Sequence, residues 1–104
     1  MTPEQALAGV YARSDRMVGR RVADEYILVP IVGRGANLDS IFNLSRVAAF
    51  IWESIDGRRD GYAIIEAVTS RFEVDRRQAE DDYCHFLEQL VTIEAVFPAH
   101  RPRE

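Results

Sequence analysis

The hydrophobic pattern of this 104-residue chain changes from strand-like to helix-like near Ser45. Before this point, residues 21–24, 26–29 and 38–44 are rich in β-branched and aromatic residues, which predicts three strands. After it, apolar residues recur at spacings of three and four up to about Val91, which predicts helices. A small antiparallel sheet followed by a helical half is typical of an α+β domain.

The helical half divides into three predicted helices. The first follows Ser45, the second begins at Asp60, and the third begins at Asp75, each of which can cap a helix N-terminus. Gln78 follows Asp75 by three residues and is the predicted capping-box partner. A three-stranded antiparallel sheet followed by three helices predicts a winged helix-turn-helix-like fold.

The length of the chain is enough for one domain with a modest core. Residues 1–15 carry small and polar residues and are predicted as a flexible N-terminal arm, whereas 16–97 form the folded domain and 98–104 a C-terminal tail. The start has no apolar signal core, and the longest apolar stretch, residues 26–32, is too short to span a bilayer. A cytoplasmic location and no membrane partner are therefore expected.

The charged residues exclude several functions. All 13 cationic side chains are arginine, and 17 acidic residues give a net charge of −4. Without lysine the chain can form neither a Schiff base nor a P-loop. The lone Cys84 excludes multi-cysteine metal sites, and its helix neighbour His85 diverges from it too far to form a nucleophile and base pair. We therefore predict no enzyme activity and no cofactor.

A winged-helix fold raises DNA binding as an alternative function, with the third helix as the recognition helix. Between Glu73 and Asp82, however, two arginines stand against five acidic residues. This surface would repel phosphates, so no nucleic-acid partner is expected. A basic cluster lies elsewhere and is predicted to steer docking onto an acidic partner protein. It consists of Arg13, Arg16, Arg20 and Arg21.

Five short segments, taken in their order and spacing, resemble one known family. They are Leu28-Val29-Pro30, Leu44-Ser45-x-Val47-Ala48-Ala49-x-Ile51-Trp52, Asp56-Gly57-Arg58-Arg59, Phe72-x-Val74-Asp75 and Ala79-Glu80-x-Asp82-x-x-x-Phe86-Leu87-x-x-Leu90. Over about residues 16–96 the chain resembles the coenzyme PQQ synthesis protein D (PqqD-like) family, also called RiPP recognition elements. It departs from that family at Glu94, where a glycine is common and would end the third helix in a left-handed conformation.

The resemblance implies a non-catalytic peptide chaperone. Members of the family bind the leader segment of a ribosomally made precursor peptide and present it to a modifying enzyme, often a radical S-adenosylmethionine enzyme, as in pyrroloquinoline quinone or related biosynthesis. The alternatives are a winged-helix transcription regulator and a non-catalytic subunit that stabilises an enzyme. Neither the peptide nor the oligomeric state follows from the resemblance.

If the chain binds peptide in this way, the third predicted strand is the open edge of the sheet with which the peptide pairs. An extended peptide can pair with it as a fourth strand, beside the third helix. The predicted peptide-binding residues are Leu38, Asp39, Ser40, Ile41, Phe42 and Asn43 on the strand and Arg77, Glu80, Asp81, Cys84 and Leu87 on the helix. This face places Cys84 at mid-groove, and the alternative helix face is Arg77, Asp81 and Glu88.

Overall fold

The computed structural model describes residues 1–31 and 41–99, which form helices and antiparallel strands. In chain order the elements are α1 (Pro3–Ala8), β1 (Val10–Arg13), β2 (Met17–Val22), β3 (Glu25–Pro30), β4 (Phe42–Leu44), α2 (Arg46–Ser54), β5 (Asp56–Asp60), α3 (Gly61–Arg71), α4 (Arg76–Thr92) and β6 (Val96–Pro98). The predicted α+β class is confirmed. The predicted order of three strands followed by three helices is not what the chain adopts.

The strands form two three-stranded antiparallel sheets instead of one. The hairpin sheet has the order β2-β3-β4, and its strands overlap the three predicted strands. The terminal sheet has the order β5-β1-β6 and joins segments that are far apart in the chain. Its strands are short, and β5 reads Asp-Gly-Arg-Arg-Asp, so they carry no apolar alternation that could predict them.

The hairpin sheet differs from the prediction in its boundaries. Its first strand is Met17–Val22 and not residues 21–24, and the turn to β3 lies at Ala23 and Asp24, with Ala23 at a φ of 56°. The third strand is Phe42–Leu44. The remainder of its predicted range, including residues 38–40, lies outside the described residues.

The three predicted helices are confirmed, and their N-terminal caps are those expected. The side-chain oxygens of Ser45, Asp60 and Asp75 accept hydrogen bonds from backbone N–H groups three residues later, at 3.0, 2.9 and 2.8 Å. The Gln78 side chain does not complete a capping box, because its amide donates to the Asp82 carboxylate at 2.9 Å. Each helix therefore begins where a short polar side chain can satisfy an orphan N–H.

The end of α4 shows how the helix terminates with Glu94 at a position where glycine is common in the family. Glu94 has a φ of 62°, in the left-handed region where glycine is usual. The N–H groups of Ala95 and Glu94 donate to the carbonyls of Leu90 and Val91, which is the hydrogen-bond pattern of a Schellman motif. The Arg16 guanidinium also pairs with the Glu94 carboxylate at 3.2 Å. The helix thus ends as it would with glycine at this position.

The N-terminal residues are not a loose arm. Thr2 and Gln5 form a reciprocal capping box on α1, whose Ala6 and Leu7 are buried against the other helices. A Cβ atom added to Gly61 would lie 2.8 Å from the Leu7 Cα and from a ring carbon of Tyr83, so α1 packs closely on the start of α3. The buried residues of α1 are the adjacent pair Ala6 and Leu7. A pair is too short to show a helical period, so this helix could not be predicted from the sequence pattern.

One continuous core fills the space between the helices and the sheets. Its largest fully buried side chains include Tyr83, Leu28, Ile64, Ile65 and Leu87. Burial raises the pKa of the Tyr83 hydroxyl far above its usual range. Among the residues described, no helix is long and apolar enough to cross a membrane.

Candidate functional site

A groove of about 840 Å³ runs between β4 and the second half of α4. We call it the β4–α4 groove. The residues that line it are Leu28, Phe42, Asn43, Leu44, Ser45, Ala48, Phe86, Glu88, Gln89, Leu90, Thr92 and Ile93. Of these, only Glu88 is ionisable, so the groove is suited to binding an apolar ligand and not to proton transfer.

The strand side of the groove is set by cross-strand pairing. Leu28 pairs with Phe42 and Tyr26 pairs with Leu44, so these four side chains lie on one face of the hairpin sheet. Leu28 is buried, whereas Phe42 is 37% exposed at the sheet edge. The face therefore continues outward from the core into the groove, where an apolar ligand can cover it.

The helix side of the groove is one face of α4. Phe86, Gln89 and Ile93 are spaced at i, i+3 and i+7, which places them in line along the helix. Ile93 is 37% exposed, and Phe86 is partly buried against the core. Two partly exposed apolar side chains thus face Phe42 across the groove.

The backbone of β4 is the third component of the site. This strand pairs with β3 along one side, and within residues 1–31 and 41–99 no strand pairs with its other side. An unpaired strand edge presents N–H and C=O groups that an extended chain can bind. The groove and the edge together offer both apolar contact and backbone hydrogen bonds to the same ligand.

Comparison with known proteins identifies the family of this chain. The sequence profile of the family "Coenzyme PQQ synthesis protein D (PqqD)" matches residues 25–96, which is more than half of the chain. This chain belongs to the PqqD family. The resemblance predicted from the five segments is therefore confirmed. A search of curated proteins finds no match.

A solved structure is also similar to this PqqD-family chain. It is TbiB1 in complex with the TbiA(beta) leader peptide, with a TM-score of 0.65 and 26% sequence identity. The similarity covers 82% of this chain and 93% of TbiB1. The similarity thus extends over most of both molecules.

The strand residues predicted to bind peptide fall into three groups. Phe42 and Asn43 line the groove. Ile41 is exposed immediately before β4. Leu38, Asp39 and Ser40 lie outside the described residues. The structure therefore places the described strand residues at or next to the groove.

The helix residues predicted to bind peptide do not line the groove. Leu87 is fully buried in the core. Glu80 pairs with Arg76 at 3.2 Å, and Arg77 and Asp81 are exposed elsewhere on α4. Of the alternative helix face, only Glu88 borders the groove. The groove side of α4 is thus rotated from the predicted face to Phe86, Gln89 and Ile93.

Cys84 lies beneath α1 and not at mid-groove. Its thiol donates a long hydrogen bond to the Pro3 carbonyl at 3.9 Å, and Met1, Thr2 and Ala6 lie around the same small pocket. Burial, together with the negative charges of nearby acidic residues on α4, raises the pKa of the Cys84 thiol. The helix face that was predicted to meet the peptide is occupied here by α1.

The four arginines of the predicted docking cluster differ in their contacts, although Arg13 and Arg21 both lie near Tyr26. Arg16 pairs with Glu94, and Arg13 lies over the Trp52 ring at 5.9 Å. Arg20 and Arg21 are adjacent on β2 and therefore face opposite sides of the sheet. Their role in docking a partner protein remains a prediction.

Proposed function

We propose that this chain binds the leader segment of a ribosomally made precursor peptide as an added strand beside β4. The observation that carries this proposal is the outer edge of β4, which no strand of residues 1–31 and 41–99 pairs with, next to an apolar groove. Membership of the PqqD family supports it, as does the similarity to TbiB1, which was solved with a leader peptide bound. The ligand class is therefore an extended peptide with apolar side chains.

Strand addition supplies affinity from two sources. Each backbone hydrogen bond to the β4 edge contributes about 0.5–1.5 kcal/mol net, whatever the peptide sequence. Apolar side chains that enter the groove beside Phe42 and Ile93 add about 25 cal/mol for each Å² removed from water. The backbone bonds align the peptide, and the groove selects among sequences.

The proposed role continues with delivery of the peptide to an enzyme. Holding the leader keeps the remainder of the precursor at a high effective concentration near a bound enzyme. We propose that this partner is a peptide-modifying enzyme, such as a radical S-adenosylmethionine enzyme. The chain itself needs no catalytic residue and no cofactor for this task.

The charges of α4 oppose the alternative of DNA binding. Arg76 pairs with both Glu66 and Glu80 at 3.2 Å, so it is already neutralised at the start of the helix. Asp81 and Asp82 are exposed on the next turn. Arg77 is exposed as well, but with Asp81, Asp82 and Glu88 also exposed the helix surface is net negative and would repel phosphates.

The test is a proline substitution next to β4. Peptides that bind the chain are first selected from a displayed random library, and one selected peptide is then titrated by calorimetry. Ile41→Pro removes an N–H and restrains the strand, so we expect its affinity to fall by at least about tenfold. The far-UV circular dichroism of the helices should be nearly unchanged.

The matched control is Ile41→Ala, which keeps the backbone N–H and removes the exposed side chain. It should bind the selected peptide within about twofold of the original chain, since backbone pairing is retained. Equal affinity of the proline and alanine variants would contradict strand addition at β4.

A further inference from the structure

A second pocket, of about 220 Å³, adjoins the β4–α4 groove at the C-terminal end of β4. The two share Leu44 and Ser45 in their walls. Three arginines line the second pocket, from β2, from the first residue of α2 and from the last residue of α3. We call it the arginine pocket, and its arginines are Arg21, Arg46 and Arg71.

The three guanidinium groups have no carboxylate partner in the part of the chain that the structure describes. The acidic residues in the pocket wall are Asp24 and Glu53, so cations outnumber anions there. Glu53 accepts a hydrogen bond from the Tyr26 hydroxyl at 3.0 Å. Burial and this bond raise the pKa of Tyr26, so the hydroxyl stays a neutral donor. The pocket therefore has unused donors for an anion.

Two of the arginines are held in place by aromatic rings. The Arg71 guanidinium lies 5.4 Å from the ring centre of Phe50, and that of Arg21 lies 5.6 Å from the ring centre of Tyr26. Such stacking restricts the side chain while leaving the edge of the guanidinium free to donate. Binding a carboxylate then costs little further rotamer entropy.

The strand register connects the arginine pocket to a peptide bound at β4. Arg21, Tyr26 and Leu44 form one cross-strand row, and a peptide residue opposite Leu44 would extend that row. The neighbouring row contains Leu28 and Phe42 and leads into the groove. Side chains on one face of a strand recur every second residue, so the two sites are two peptide positions apart.

We propose that the arginine pocket binds a side-chain carboxylate of the leader peptide. This proposal rests on the proposed function and specifies its ligand. The preferred peptide carries aspartate or glutamate two positions from an apolar residue that occupies the β4–α4 groove. The groove supplies apolar affinity, and the arginines fix the register by pairing with one acidic side chain.

The test uses a random peptide library displayed through its C-terminus, so that no free terminal carboxylate competes for the pocket. The library is selected against the original chain and against Arg46→Gln. Arg46 is exposed and lines the pocket. Arg58→Gln is the matched control, because it removes one exposed charge from β5, outside the pocket. Thermal unfolding checks that all three chains are folded.

We expect acidic residues to be enriched at the stated spacing with the original chain and with Arg58→Gln, but not with Arg46→Gln. A selected peptide should bind Arg46→Gln about tenfold more weakly, which is typical of losing a charge-assisted hydrogen bond. Changing its acidic residue to the amide should weaken binding to the original chain similarly, with no further loss in Arg46→Gln.

The two proposals fail in different ways. If no peptide is selected, or if bound peptide leaves the hydrogen exchange of β4 amides unchanged, peptide binding at β4 is contradicted. If peptides protect β4 but show no acidic preference, or if Arg46→Gln and Arg58→Gln bind them equally, the arginine pocket is not a carboxylate site and the proposed function stands.

Discussion

Among the described residues, β5 and β6 are the edge strands of the terminal sheet and β2 and β4 those of the hairpin sheet, and of these four strands β4 is the one that lines the apolar groove. On β5, the Asp56 carboxylate accepts hydrogen bonds from the backbone N–H groups of Arg58 and Arg59 and pairs with the Arg59 side chain at 3.3 Å. On β6, Pro98 lacks an N–H. Charged side chains and proline are common ways of blocking sheet edges. The edge of β4 has the apolar groove beside it instead.

The two sheets also differ in how they are joined to the core. Tyr11 of β1 is buried, and the helices α1 and α3, which flank the terminal sheet in sequence, pack tightly at Gly61. Phe42 at the edge of the hairpin sheet is partly exposed. The packing of α1 on α3 beside the terminal sheet contributes to stability, whereas the apolar groove lies beside the hairpin sheet, whose Tyr26 and Leu28 also belong to the core.

The largest expected effect is a loss of stability when the close packing of α1 on α3 is disturbed. Gly61→Ala places a methyl group 2.8 Å from the Leu7 Cα and a Tyr83 ring carbon. We expect the free energy of unfolding in urea to fall by about 1–3 kcal/mol, a typical cost of overpacking. Ser70→Ala, at an exposed site of the same helix, should change it by less than about 0.5 kcal/mol. The affinity of Gly61→Ala for the selected peptide should be unchanged. A loss of affinity without a loss of stability would contradict the separation of the packing at Gly61 from the binding groove.

A smaller effect is expected on peptide affinity when the edges of β4 and β6 are compared directly. Phe42 on β4 and Phe97 on β6 are both edge-strand phenylalanines, 37% and 48% exposed. Phe42→Ala should weaken binding of the selected peptide by about five- to tenfold, because the peptide no longer covers an aromatic ring. Phe97→Ala should change the affinity by less than about twofold. Equal losses at the two edges, measured by calorimetry, would show that binding is not confined to the hairpin sheet.

The smallest expected effect is at Cys84. Because its raised pKa leaves less thiolate at a given pH, we expect iodoacetamide to label it more slowly than free cysteine. Saturating peptide should leave this rate within about twofold, since the thiol lies beneath α1 and not in the groove.

The positive control for this labelling is Ile93→Cys in a Cys84→Ala background. It places a thiol in the groove, where bound peptide should slow labelling. If the peptide protected Cys84 in the original chain, or failed to protect the thiol introduced by Ile93→Cys, the binding face of α4 would have to be moved.

The sequence predicted those parts of the fold that local chemistry determines. Ser45, Asp60 and Asp75 cap helices through contacts within three residues, and all three helices form where they were expected. The strands β5 and β6 form because each meets β1 from a distant part of the chain. Pairing over such distances leaves no periodic signal within the short segments themselves.

The same distinction explains the candidate site. The strand side could be predicted, because an edge strand with Phe42 and Asn43 follows from the local pattern. The helix side could not, because α4 carries apolar residues on more than one face. Which face of α4 remains open depends on where α1 packs. The sequence signal that could have identified the groove face of α4 is the spacing of Phe86, Gln89 and Ile93 at i, i+3 and i+7.

The pairing of β1 with β6 has a consequence for the order of folding. The β2–β3 hairpin is closed by a two-residue turn, whereas β1 must wait for residues 96–98 before its second neighbour exists. Loop closure over that distance is entropically costly, so the hairpin is expected to form early and the terminal sheet late. During synthesis, one side of β1 stays without its strand partner until β6 leaves the ribosome. A chain truncated before Val96 would keep the N–H and C=O groups on that side of β1 exposed.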